Sequence, residues 1–177
     1  MKTLFTERLN LVPFKLDILQ AAVKGNAEFA SYLGVKILPD WQSPKVIEDL
    51  SALVDILCSY PAQNEWGWGS LVIHRDEQTL IGHVLVKVIP DSTFTPTDSL
   101  EMGYIIAESH RGQGYAFEAT KAIVDFAFSL PSVQSVTAGC YKDNIASRRI
   151  LEKIGLEVIA SPQNALIWKL CKTATVQ

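Results

Sequence analysis

Three β-rich runs follow one another between residues 66 and 107, and nothing between them is long enough to form a helix. Residues 66–74 are dense in aromatic and β-branched side chains, 80–89 carry five Val or Ile residues, and 100–107 form the third run. Asp76-Glu77-Gln78 makes the first turn, and 90–98 a loop before the third run. Strands joined this directly pair antiparallel, because a parallel partner needs a crossover of about a dozen residues or more. The pattern therefore predicts an antiparallel core and excludes a doubly wound parallel sheet.

The flanking segments supply helices. Residues 9–12, ended by Pro13, read as a first strand, and 16–24 as a helix with Leu16, Leu19, Ala22 and Val23 on one face. The stretch 28–41 carries no clear period. Ser43 and Pro44 look like a capping residue and a first-turn proline, and Val46, Ile47, Leu50, Leu53, Val54 and Leu57 then recur at helical spacing until Tyr60-Pro61. Further on, the spacing predicts a helix over 115–130 stopped by Pro131, a strand at 136–140, a helix over 144–154 closed by Gly155, and a hairpin of 156–160 with 165–171. The expected architecture is α/β: a mixed, mostly antiparallel central sheet of about seven strands with helices on both faces. A length of 177 residues suits one domain, 1–177.

Charge and cysteines narrow the function classes. Lys+Arg 16 against Asp+Glu 19 leaves a net charge of -3, which removes a strongly basic nucleic-acid footprint. Cys58, Cys140 and Cys171 are odd in number and lack C-x-x-C spacing, so neither a disulfide framework nor a zinc knuckle is expected. His74, His83 and His110 have no ligand spacing, and no metal is expected. No apolar run reaches the roughly 18 residues of a membrane span. The first eight residues also lack the apolar core of a signal peptide, so the expected compartment is the cytoplasm.

The chemistry concentrates after the third run. Gly112 and Gly114 lie between a strand and a helix, where glycines let backbone N–H groups turn toward a ligand. The unpaired N–H groups and positive dipole end of the helix start then favour an anion, such as a diphosphate. A Rossmann fingerprint fails because its third glycine position holds Phe117, and no Gly-Lys-Ser/Thr triplet exists for a Walker A loop. Read alone, the glycines fit a tight strand-to-helix turn equally well. A second segment opens a helix with Asn144, places Ser147 three residues later and closes with Gly155, which alone reads as a capped helix.

Together the two segments resemble the GNAT superfamily of acyl-CoA-dependent N-acetyltransferases. Its Arg/Gln-x-x-Gly-x-Gly/Ala signature matches Arg111, Gly114 and Ala116. The closer likeness is to the RimJ/RimL-type branch of ribosomal-protein acetyltransferases. Thr6-Glu7-Arg8-Leu9, Glu101-x-Gly103-Tyr104, and Asn144-x-x-Ser147 followed by Leu151-Glu152-Lys153-x-Gly155 occur in that branch's order.

The resemblance implies a sheet whose fourth and fifth strands splay into a cleft, with acetyl-CoA as cosubstrate. Its diphosphate would lie against Arg111, Gly112, Gln113, Gly114, Tyr115 and Ala116. The pantetheine arm would follow the strand at 104–107, with Ile105, Ile106 and Ala107 alongside and a backbone N–H near Ile106 stabilising the developing oxyanion. Asn144 and Ser147 would bind from the other side. A neutral primary amine, on a peptide N-terminus or a small molecule, would attack directly. Glu101 is the expected base, with His83 and His74 behind it.

Many relatives protonate the departing thiolate with a Tyr on the last helix, where this chain has Leu151. Ser147, Tyr141 or water would serve instead. Trp66 and Trp68, expected on one face of a strand, either line the acceptor pocket or pack in the core. Cys140 is expected as a small buried residue, and Arg148 and Arg149 either meet the CoA 3′-phosphate or form a solvated face. Glu101, Asp98 and Glu65 are expected to give the acceptor mouth negative charge. Dimers are common in the family. An acyl-CoA sensor without catalysis, and an antibiotic- or polyamine-detoxifying enzyme, stand as alternatives.

Overall fold

The computed structural model describes residues 1–173. Its elements are β1 (Leu4–Phe5), β2 (Leu9–Pro13), α1 (Leu16–Val23), α2 (Asn26–Leu33), β3 (Lys36–Ile37), α3 (Pro44–Glu48), α4 (Leu50–Ser59), α5 (Pro61–Trp66), β4 (Ser70–His74), β5 (Thr79–Pro90), β6 (Pro96–Ile106), α6 (Tyr115–Ser129), β7 (Ser135–Tyr141), α7 (Ile145–Ile154), β8 (Glu157–Ala160) and β9 (Ala165–Cys171). A short 3-10 turn, Glu108–His110, separates β6 from α6. The strands form one sheet in the order β1-β2-β4-β5-β6-β7-β9-β8, with β3 paired to β5. Among the described residues β3–β5 and β6–β7 run parallel, and the other pairs antiparallel. The mixed, mostly antiparallel sheet agrees with the sequence. The two strands beyond the expected seven, β1 and β3, have two residues each, too few for an alternating pattern to register.

Helices cover both faces. On one, Tyr115, Ala119, Ile123, Val124 and Ala127 of α6 pack with Leu151 and Ile154 of α7 on Leu9, Leu11, Val84, Val86, Leu100 and Met102. Their recurrence every three to four residues gives α6 its apolar stripe. On the other, Ile18, Leu19, Phe29, Leu50, Leu53 and Leu57 pack with Phe14 and Trp41 on Leu71, Ile73 and Leu80.

Several local expectations are corrected. The run 66–74 is not all strand: Pro61 starts α5, which ends at Trp66, and β4 begins only at Ser70. Buried Gln63 donates to the Gly67 and Val86 carbonyls (2.6 and 2.9 Å) and accepts from the Val88 amide (2.8 Å), tying α5 to β5. Trp66 and Trp68 therefore do not share a strand face. Trp66 packs edge-on against Phe126, and Trp68 belongs to the opposite core layer. The 44–59 helix is broken at Asp49, and Ser43 makes no side-chain cap. Val23 is exposed, the inward face of α1 being Ile18, Leu19, Ala21 and Ala22. The loop expected at 90–98 shrinks to 91–95, because β5 and β6 continue to Pro90 and Pro96.

His83 on β5 is wholly enclosed in the second layer, edge-on to Phe14 at 5.5 Å. Its Nε2 lies 2.6 Å from the Trp68 carbonyl and its Nδ1 2.8 Å from Gln42 Nε2. The carbonyl can only accept, so Nε2 carries the proton and Nδ1 accepts from Gln42. Burial lowers its pKa from 6.5 to about 4, against a small opposing effect of the Trp68 carbonyl. The folded state thus refuses a proton that the unfolded chain takes up below pH 6.5. Stability is full above that pH and is lost as pH falls toward 4, by roughly 3 kcal/mol at most. Urea denaturation across this window should show the wild-type midpoint falling more steeply than that of His83→Gln. Parallel slopes would assign the acid sensitivity to other groups.

Candidate active site

The ladder between β6 and β7 runs from Ser99↔Ser135 to Met102↔Ala138 and then stops. Beyond it β6 remains paired with β5 as far as Ile106, and β7 with β9 as far as Tyr141. The facing edges separate while each strand stays extended. This is the splay expected from the resemblance. Above it opens a cleft of about 560 Å³, walled by β6, the turn before α6, and the starts of α6 and α7.

One wall is made of backbone amides. Ala107 donates to the Ile81 carbonyl at 2.7 Å, and the Glu108 amide to Asp40 Oδ2 at 2.6 Å, fixing where the turn leaves the sheet. Arg111 Nε reaches back to the Ile106 carbonyl at 2.9 Å. Gly112 and Gly114 then adopt φ of +76° and +86°, a left-handed conformation costly to residues with a Cβ. The Arg111 amide bonds the Glu108 carbonyl, and the next amide with a backbone acceptor is that of Glu118, which bonds the Gly114 carbonyl at 3.0 Å. The amides from Gly112 to Phe117 are thus free at the positive end of a 15-residue helix. Such an array accepts a diphosphate.

The other wall is the start of α7. Asn144 Oδ1 accepts the Ser147 amide at 3.0 Å, an N-cap that fixes the first turn. The Tyr104 hydroxyl spans the cleft to the Ser147 carbonyl at 3.2 Å. Burial raises the Tyr104 pKa, the Ser147 hydrogen bond opposes the rise, and nearby Cys140 adds to it. Tyr104 is therefore a protonated phenol at neutral pH.

Ile105, Ile106, Arg111, Gly112, Gly114, Tyr115, Ala116, Asn144 and Ser147, all expected at the cofactor site, line this cleft. Ala107 lies buried behind it, and Gln113 turns its carbonyl away to Arg8 Nη1 at 3.0 Å. Tyr104, at the start of the strand segment expected beside the arm, also lines it, as do His110, Phe117, Ala146 and Ile150, which the sequence reading does not include. Of these, Tyr104 had a signal, since it closes the E-x-G-Y motif.

Glu101 and Tyr141 are not in the cleft lining. Tyr141 is exposed and borders a separate depression with Lys142, Asp143 and Asn164. Glu101 is half-exposed, 3.7 Å from Lys87 Nζ. Three residues from Tyr104 along a strand, it faces the opposite side of the sheet. It nonetheless lies one residue before the end of the β6–β7 ladder. Asp98 shares the strand face of Leu100 and Met102, and Glu65 lies by Tyr60, Phe94 and Pro96 at the far end of β6, so neither joins Glu101.

His74 is committed elsewhere, its Nε2 3.0 Å from the Tyr115 hydroxyl and its Nδ1 accepting the Glu77 amide at 3.2 Å. His83 is sealed in the core. Neither is placed to act as base. Cys140 is half-buried and receives the Trp168 indole N–H at 3.2 Å. Arg148 bonds the Lys142 carbonyl at 3.2 Å. Among the described residues no three His, Cys, Asp or Glu side chains gather as a metal site, and no helix is long and apolar enough to cross a membrane.

Known proteins resemble this chain in sequence or in fold. The uncharacterized N-acetyltransferase YjdG of Bacillus subtilis is 28% identical over 156 residues, 88% of this chain and 89% of that protein. Among solved structures, the ribosomal-protein-S5-alanine acetyltransferase of Vibrio fischeri superposes with a TM-score of 0.66 at 13% identity, over 96% of each chain. The ribosomal L7/L12 α-N-protein acetyltransferase RimL, solved with coenzyme A, gives 0.63 at 13% identity over 94% of this chain and 95% of its own. Residues 8–157 match the acetyltransferase (GNAT) domain, and the chain belongs to that family of acetyltransferases.

Proposed function

We propose that this enzyme transfers the acetyl group of acetyl-CoA directly to a primary amine, on a peptide N-terminus or a small molecule, within a ternary complex. The observation that carries the cofactor side is the run of free amides from Gly112 to Phe117 opening into a cleft of about 560 Å³. Acetyl-CoA supplies an activated thioester when bound. The amides hold its diphosphate, and the open β6 edge at 103–106 offers N–H and C=O groups to the pantetheine arm, as a partner strand would. Asn144 keeps the start of α7 in place opposite.

On the other face of β6, Glu101 takes a proton from the incoming ammonium group, directly or through water. What supports this role is its position one residue before the end of the β6–β7 ladder. Tyr104, a protonated phenol in the cleft lining, donates the proton to the departing sulfur. It replaces Tyr141, which is exposed elsewhere, while the Ser147 hydroxyl remains in the lining. The RimL-like structural neighbours favour a peptide α-amine, and the net charge of -3 favours a cationic acceptor over an anionic one.

The cradle is tested at Gly112, where an added Cβ meets no protein atom within 4 Å. Gly112→Val adds backbone strain of roughly 1–2 kcal/mol and crowds only the ligand. Calorimetry should show CoA affinity falling by about tenfold or more with the circular-dichroism spectrum retained. Unchanged affinity removes the diphosphate assignment. Glu101→Gln should lower turnover by about 10²–10⁴-fold and abolish the acidic limb of the pH–rate profile, with little change in acetyl-CoA affinity. Tyr104→Phe should lower turnover while keeping that limb. A wild-type limb retained in Glu101→Gln overturns the base assignment. Initial rates over a panel of peptides and small amines should give intersecting double-reciprocal lines, and parallel lines point to a covalent route instead.

A further inference from the structure

The Thr6-Glu7-Arg8-Leu9 motif stands outside the cleft, yet its side chains end on the anion-binding turn. Thr6 Oγ1 donates to Glu118 Oε1 at 2.6 Å, and the Arg8 amide reaches the same oxygen at 2.9 Å. Arg8 Nε and Nη2 approach Glu118 Oε2 at 2.7 and 2.6 Å. Nη1 donates to the Gln113 carbonyl at 3.0 Å, and the guanidinium lies 4.2 Å over the Tyr115 ring. One planar fork thus holds the first turn of α6, the peptide before it and the first helical side chain. Tyr115 is gripped from a second side by His74.

We infer that Arg8 is a positioning residue for the acetyl-CoA diphosphate, acting through the Gln113–Gly114 peptide and the Glu118 carboxylate; this rests on the acetyl-CoA reading above. The first part follows from peptide geometry. In a trans peptide the C=O and N–H point in opposite directions. Gln113 turns its carbonyl to Arg8, so the Gly114 N–H points away from Arg8, which does not line the cleft, and toward the cleft that Gly114 lines. A glycine has many accessible conformations, and the Arg8 bond to the preceding carbonyl favours this left-handed one.

The second part is electrostatic. Glu118 lies in the first turn of the helix that must receive an anion. Burial raises its pKa, but the Thr6 hydroxyl and the Arg8 amide and guanidinium more than offset this, and the carboxyl is held below its ordinary value. It is ionised at neutral pH. A bare carboxylate there repels a diphosphate, and the Arg8 guanidinium, with Nε and Nη2 both on Oε2, offsets its charge.

A plain structural tie between β2 and α6 would support the fold without favouring one part of the cofactor. The two roles separate with S-acetylpantetheine, which carries the thioester and the arm but no diphosphate. Arg8→Met should weaken CoA binding in calorimetry by about tenfold or more, with KM for acetyl-CoA rising alike and kcat within about twofold. Turnover of S-acetylpantetheine should stay within about twofold of wild type. Arg8→Lys keeps the charge beside Glu118 but cannot fork to Gln113 at the same time, so it should recover only part of the affinity. It carries the comparison alone where Arg8→Met does not fold.

Equal CoA affinity in wild type and both variants overturns the positioning role and leaves the acetyl-CoA reading standing. Parallel losses with acetyl-CoA and S-acetylpantetheine assign Arg8 to the fold and likewise overturn it. A wild-type protein that binds no CoA overturns both readings.

Discussion

Because β6 and β7 run parallel, their C-terminal ends lie side by side, and the helix that follows each strand starts at the same place. α6 after β6 and α7 after β7 therefore bring two helix N-termini to one gap. The gap exists because the ladder ends at Met102 and Ala138 while β5 and β9 keep the outer edges of both strands paired. Without those outer ladders two diverging strands would collapse or fray, since unpaired backbone groups must find partners. The free strand edge, the free amides and the Asn144 cap all follow from this one parallel pair inside an antiparallel sheet. Ligands of open sheets commonly sit outside the carboxyl ends of the strands for the same reason.

A turn of free amides has no partners of its own to hold it, so its shape must be imposed from outside. Asp40 fixes the amide at Glu108, Arg111 returns to the Ile106 carbonyl, and Arg8 holds the Gln113 carbonyl and Tyr115. Each tie uses a carbonyl, a ring face or an amide outside the free run. The amides from Gly112 to Phe117 are left unspent. Preorganised donors of this kind bind an anion without first reordering the chain.

What was legible in the sequence was whatever is local. A left-handed glycine before a helix, an Asn three residues before a Ser, and a proline ending α6 each act within one turn, so Gly112, Gly114, Asn144 and the α6 boundaries were placed correctly. α5 was missed because Tyr60-Pro61 was read as a stop, although proline in a first turn also starts a helix. The hold of Arg8 on Glu118 joins residues 110 positions apart, and no local pattern announces it. Tyr104 was seen as a motif letter, but its reach to Ser147 depends on how far β6 stands from α7. Tyr141 was close in sequence to Asn144 yet ended beside Lys142 and Asn164, because β7 stays with β9 to its last residue.

The alternation along β6 also decides which substrate each residue can meet. Leu100 and Met102 are buried against α6 and α7, which fixes Tyr104 on the cleft side and Glu101 and Gly103 on the other. A slip of one residue in the β5–β6 register would put Glu101 among the apolar side chains of the core and turn Tyr104 out. That exchange is opposed by every pair from Leu100↔Val88 to Ile106↔Gly82. The division of labour is therefore secured by the core rather than by the site. Tyr104 thus lies on the cleft face of β6 and Glu101 on the other, and the strand edge between them is open only where β7 has left. Lys87, 3.7 Å from Glu101, shares that outer face and offsets the carboxylate's charge there. Salt screens this exposed pair readily, whereas the register that sorts Tyr104 from Glu101 rests on the buried core and is indifferent to it.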